Sequence, residues 1–188
     1  MALIHRATLV PSKLDAIAAW IPSQPWWDGS GADELDAAAA YRFDDPDGEV
    51  GIETHLLRTA SGTVFQVPLT YRSAPLDGAD AYLVATMDHS VLGPRWVYDG
   101  VGDPVYVAVT ATAIAEGAHQ AELVVQSEDG SRSVRESTTQ VWGTGGPAPT
   151  APRLSVRRVI DAAPTELPHL IGTWPGQAEP VVLVELRG

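Results

Sequence analysis

The sequence predicts an α+β domain, a curved antiparallel β-sheet packed against a few helices, and three observations support it. Alternating apolar and polar residues recur from Ala37 onward. The turns between these runs are short and rich in Gly, Pro and Asp, which suits antiparallel neighbours rather than crossover connections. Two segments carry helix start and stop signals at both ends.

Taken in order, residues 3–10 read as a short first strand. "PSKLDAIAAWIP" then reads as a helix with Leu14, Ile17, Ala18 and Ile21 on one face. Ser12 followed three residues later by Asp15 has capping-box spacing, and Pro22 is a stop. The loop "SQPWWDGSGAD" carries two adjacent tryptophans. Neighbouring side chains on a regular strand point oppositely, so one of Trp26 and Trp27 is expected near solvent or under a loop. Three strands of a meander follow. "AAAAYRF" leads through "DDPDGE", read as a β-turn with solvated carboxylates, into "VGIETHLLR", with Val50, Ile52, Thr54 and Leu56 on one face. After "TASGT", "VFQVPLTYR" places Phe65, Val67, Leu69 and Tyr71 together. Pro68 cannot donate to a ladder, so that strand is expected at an edge or bulged there.

"AYLVATM" is a further strand. In "DPVYVAVTATAIAEG" the valines and threonines favour a strand, yet Asp103 before Pro104 is an N-cap and N1 pair and Gly117 sits where a helix C′ residue belongs. Capping at both ends is more specific than β-propensity, so a helix is predicted. The last third reads as strands "AELVVQ", "SVRESTTQV", "RLSVRRVI" and "VVLVELR", with a hairpin turn at "SEDGS". "GTGGPAPTAPR" resembles a linker, but strands resume after it. The prediction is one domain over residues 1–188 with a flexible loop near 143–152.

Composition narrows the function. A chain of 188 residues, 45% hydrophobic, suits one core. Its formal charge of −12 repels phosphate backbones and anionic bilayers, so neither nucleic acid nor membrane is expected as a partner. The absence of cysteine excludes disulfides, thiolate nucleophiles and cysteine zinc sites. No basic segment precedes a long apolar run at the N-terminus, which predicts a cytoplasmic protein.

The most chemical-looking stretch is "DHSVLGPRWVYDGVGDP", residues 88–104. Asp88, His89 and Ser90 are consecutive and cannot converge as triad members must. The five histidines have no H-x-H or H-x-x-x-H pairing, and "GTGGPAPT" lacks the lysine and following helix of a phosphate loop. No catalytic residue, metal ligand or cofactor is therefore predicted. The candidate ligand-binding residues are His89, Arg95, Trp96, Tyr98, Asp99 and Asp103. Their competing structural reading puts Trp96 and Tyr98 in the core and Asp103 at a helix cap.

"AAWIPSQPWW", "YRFDDPDGEVGIETHLL", "VPLTYRSAPL" and "MDHSVLGPRWVYDGVGDPVYV" together resemble the N-terminal cap domain of maltokinases and its standalone relatives. That resemblance implies a cystatin-like fold and a setting in α-glucan or trehalose metabolism. In the family the cap precedes an aminoglycoside-phosphotransferase-like kinase. Its kinase residues lie downstream of the cap, and the chain ends at Gly188 without them, so a standalone, noncatalytic form is expected. Two functions stay open. One is a regulatory module for a partner protein, a kinase or glucan-metabolic enzyme. The other is a small-ligand or carbohydrate-binding domain, or a cryptic enzyme, using residues 88–103. Open sheet edges also leave a homodimer conceivable.

Overall fold

The structure is a computed structural model that describes residues 2–5, 8–29, 31–126 and 132–188. In chain order its elements are β1 (Ala2–His5), β2 (Leu9–Val10), α1 (Lys13–Trp20), β3 (Asp36–Phe43), β4 (Gly51–Arg58), β5 (Val64–Arg72), β6 (Leu83–His89), β7 (Gly93–Asp99) and α2 (Pro104–Glu116). There follow β8 (Leu123–Gln126), β9 (Arg132–Arg135), β10 (Gln140–Gly143), β11 (Arg153–Val156), β12 (His169–Trp174) and β13 (Gln177–Arg187). A six-stranded antiparallel sheet, ordered β2-β6-β7-β5-β4-β3, curls into a half-barrel. A four-stranded antiparallel sheet runs β10-β12-β13-β11, and a three-stranded one runs β1-β8-β9. The α+β expectation holds.

Strand alternation decides what each face of the large sheet buries. Leu57, Val67, Leu69 and Val97 meet Ala16, Ile17 and Ile21 of α1 and its following turn, with both Trp26 and Trp27 packed at the border. On the opposite face Tyr41, Phe43 and Leu56 meet Ala111, Ala113 and Ile114 of α2 together with Val141, Leu170 and Leu183 of the second sheet. Fully burying one such aliphatic or aromatic side chain contributes about 1.5–3 kcal/mol. Phe65 sits 4.5 Å from the ring of Trp27 and 6.2 Å from that of Trp26, so both tryptophans are half-buried around one phenylalanine.

The caps form as the sequence implies. The Ser12 hydroxyl accepts the backbone N–H of Asp15 at 3.2 Å and lies 2.6 Å from its carboxylate. Asp103 accepts the N–H of Val105 at 2.9 Å. At the far end of α2, Gly117 has φ +69°, and the N–H groups of Ala118 and Gly117 return to the carbonyls of Ala113 and Ile114, a Schellman ending.

Several elements differ from the reading of the sequence. Residues 3–10 split into β1, which pairs in parallel with β8, and β2, which joins the large sheet. β5 is interior rather than at an edge, yet the reason for the expectation survives. The N–H of Gln66 points away from β4, donating to the Arg158 carbonyl at 2.8 Å, so the ring nitrogen of Pro68 faces the same side. Pairing with β7 begins only at Leu69, and residues 158–160 flank β5 only from Val64 to Gln66. Pro68 occupies the gap between the two partners.

The expected strand "SVRESTTQV" breaks into β9 and β10 because Ser137 bonds both the N–H and the carbonyl of Thr139. β12 was not foreseen. It turns into β13 through Pro175 and Gly176, the latter at φ +88°. The turn expected at "SEDGS" lies outside the described residues, though the arms around it, β8 and β9, pair antiparallel. In the segment 143–152, Gly145 and Gly146 donate to the carbonyls of Ile114 and Ala115, laying the glycine-rich run across the C-terminal turn of α2.

Candidate functional site

Residues 88–104 form a hairpin tip, a strand, a 3-10 turn (Gly100–Gly102) and a helix cap. At the tip the imidazole Nδ1 of His89 accepts the N–H groups of Val91 at 3.2 Å and Leu92 at 3.1 Å. A neutral His89 ring therefore carries its proton on Nε2. Ser90 exchanges two 3.0 Å bonds with Thr8, its N–H donating to the Thr8 carbonyl and its hydroxyl accepting the Thr8 N–H. These are roles within the turn.

Alternation along β7 divides the candidates. Register pairs Gly93 with His89 and Arg95 with Met87, so His89 and Arg95 share a face diagonally. Trp96 and Tyr98 point to the other face. Tyr98 is buried, and its hydroxyl accepts the Leu76 N–H at 2.9 Å. Trp96 is half-buried opposite Arg72 and Thr86. Arg95 donates to the Pro94 carbonyl at 3.0 Å.

The two aspartates belong to separate ion pairs. Asp103, fully buried, receives Nε and Nη2 of Arg72 in a bidentate pair, each bond 2.7 Å, while it caps α2. Burial works to raise its pKa, but the Arg72 guanidinium and the Val105 N–H outweigh burial and hold it below the usual carboxylate value. Asp99 takes Nη2 of Arg158 at 2.5 Å, and that guanidinium lies 4.8 Å from the ring centroid of Trp26. Here burial wins over Arg158, and the Asp99 pKa is raised. Asp99 Oδ1, Arg158 Nη1 and the hydroxyl of Tyr106 are buried without a hydrogen-bond partner. His89, Asp99 and Asp103 thus do not converge. Among the described residues no group of three or more His, Asp or Glu is placed to hold a metal ion.

A charged cluster that the sequence did not point to lies under α1. β4 aims Glu53 and His55 at the α1 face, where Glu53 Oε2 meets Lys13, the single lysine of the chain, with Arg42 Nη2 at 3.1 Å and His55 Nε2 at 3.6 Å. Burial opposes ionisation of Glu53, but these neighbours hold its pKa well below the usual value. The Lys13 ammonium also sits 5.3 Å from the Tyr71 ring centroid. The available signal was a glutamate and a histidine at alternate positions, on the same face of β4 as Leu57.

Two clefts flank the β3–β4 turn. A polar one of about 670 Å³ is bordered by Arg42, Asp44, Tyr71, Leu92 and Arg95, and is the only one of the two that any of the six candidates reaches. The other, about 490 Å³ and mostly apolar, lies between α2 and the turn, with Phe43, Val105, Ala108, Val109 and Thr112 in its lining. Asp45 holds the turn between them, its carboxylate accepting the N–H groups of Asp47, Glu49 and Val50 at 2.8–3.1 Å. That carboxylate is spent on the backbone rather than on water. Arg42, Glu53 and the α2 face are the surroundings that sequence reasoning missed.

No curated protein matches the chain. Residues 20–103 match the family model of the maltokinase N-terminal cap domain, a stretch running from the last residue of α1 through β3–β7 to the aspartate that caps α2. The stretch that carries β3–β7 and the junction into α2 is accordingly similar to a maltokinase N-terminal cap domain.

Proposed function

We propose that the chain is a noncatalytic cap-like module that binds and regulates a partner protein, a kinase or another enzyme of α-glucan or trehalose metabolism, in the cytoplasm. The observation that carries this reading is the apolar cleft along the outer side of α2, which leaves Pro104, Ala108 and Thr112 exposed on a rigid, doubly capped helix. The fates of Asp99 and Asp103 support it: each is committed to an arginine, so neither is disposed as a general acid or base. The kinship to a maltokinase cap supplies the class of partner.

The test is co-elution and turnover. Purified full-length chain is mixed with purified maltose-phosphorylating kinase, and separately with α-glucan-processing enzymes from the same cells. The expected result is a complex of defined stoichiometry and a changed rate for one enzyme. Separate elution from all of them, with every rate unchanged, would contradict the reading.

A further inference from the structure

We infer that the cleft between α2 and the β3–β4 turn is a docking groove for a basic amphipathic segment of a partner protein, with an apolar side chain seated on the helix and arginine or lysine against the turn. This rests on the partner-binding reading and names the surface and the chemistry of its occupant. Ala108 and Thr112, four residues apart and both exposed, project little, so another backbone can approach α2 closely. Val105, Val109 and Phe43 supply an apolar floor that water wets poorly. A cavity of about 490 Å³ is within the range that anchors a ligand or a side chain.

Charge selects the occupant. The wall opposite α2 is the turn Asp44–Asp47, and all three of its aspartates, Asp44, Asp45 and Asp47, line the cleft, which has no basic lining residue. The Asp45 carboxylate is held at a fixed place by the backbone N–H groups of Asp47, Glu49 and Val50. An acidic partner segment would be repelled by this wall, and by a chain of formal charge −12. A small-molecule site would need polar groups converging on the floor, whereas here the charged groups stand on one wall above an apolar floor. A segment reading apolar on one side and basic on the other satisfies both surfaces at once.

The test uses full-length chain in three variants, Ala108→Arg, Asp47→Lys and Leu92→Arg, with Leu92 lining the other cleft as a control. Two probes of equal length are titrated, a leucine/lysine amphipathic peptide and a leucine/glutamate one, and backbone amide shifts locate binding. The leucine/lysine peptide is expected to shift Phe43, Ala108 and Thr112, to bind at least about tenfold more weakly to Ala108→Arg, and to weaken with salt. Leu92→Arg should bind as the wild type does. Equal binding of both peptides, shifts confined to other surfaces, or no binding of the leucine/lysine peptide would overturn the inference. The enzyme co-elution separates it from the broader reading. An enzyme retained equally by wild type and by Ala108→Arg overturns this groove and leaves partner binding standing, whereas no enzyme retained by wild type overturns both.

Discussion

Arg72 and Asp103 join the sheet to the helix that leaves it: two parallel 2.7 Å hydrogen bonds run from the β5 arginine to an aspartate that also caps α2. Removing the carboxylate takes away a helix cap and leaves the guanidinium, which is one-fifth exposed, without its partner. Asp103→Ala is expected to destabilise the fold by about 2–4 kcal/mol, while Asp103→Asn, which keeps a cap acceptor, costs less. Urea midpoints of the two variants check the order, and equal losses would contradict the separate contribution of the cap.

Acid should weaken the fold. The hydrogen bonds from Arg157 and Arg187 hold Glu185 low against its burial, and Glu53 and Asp103 are likewise held low. Each binds its proton less tightly folded than unfolded, so its stabilisation is complete above the ordinary carboxylate value of about 4 and is lost as pH falls through the lower folded value. Asp99 has the opposite sign, because its raised pKa means that protonation favours the native state just above the ordinary value. With three groups against one, unfolding free energy measured from about pH 7 to about pH 3 should decline below about pH 4. Glu53→Gln should flatten that decline, and stability rising steadily into acid would contradict the assignment.

Gln66 ties the two large sheets. Fully buried, it accepts the Tyr41 hydroxyl at 3.0 Å and donates to the Leu183 carbonyl at 2.8 Å. Gln66→Leu keeps the volume but takes the acceptor from the Tyr41 hydroxyl and one of two donors from the Leu183 carbonyl, which still accepts the Arg157 N–H at 2.9 Å, at an expected cost of about 1–3 kcal/mol. Hydrogen exchange should then show the β12–β13 hairpin losing protection ahead of β4 and β5. Uniform loss across both sheets would contradict the bridging role.

The end of β10 is fitted to α2. A Cβ on Gly143 would lie 2.2 Å from the Ala113 carbonyl oxygen and 2.6 Å from the Ile114 Cα, both backbone atoms. Gly143→Ala is expected to cost more than about 2 kcal/mol, whereas Gly48→Ala, in open space at φ +72°, should cost about 1–2 kcal/mol. Thermal midpoints of the two variants rank them, and a smaller loss at Gly143 would contradict the contact.

What could be read from the chain was local. Alternation grouped Phe65, Val67, Leu69 and Tyr71 on one face of their strand, and Val50, Ile52, Thr54 and Leu56 on one face of theirs, because a two-residue period maps directly onto a pleated strand. That the first set and Ile52, Thr54 and Leu56 lie on opposite faces of the sheet comes from the register of β4 with β5. The caps at Ser12 and Asp103 were legible because their partners lie two or three residues away. The pairing of Asp99 with Arg158, 59 residues apart, and of Lys13 with Glu53, 40 apart, depends on how the sheet curls. Nothing local encodes it. The six candidate residues looked like a site because they are close in sequence, and β7 then sends Arg95 and Trp96 to opposite faces.

The central claim is that this cap-like chain acts on another protein, and it is tested most directly by the turnover of the co-eluting enzyme, assayed with saturating wild-type chain and with Ala108→Arg. The rate is expected to change with the wild-type chain and to stay at its basal value with the variant. A rate indifferent to the wild-type chain would contradict it.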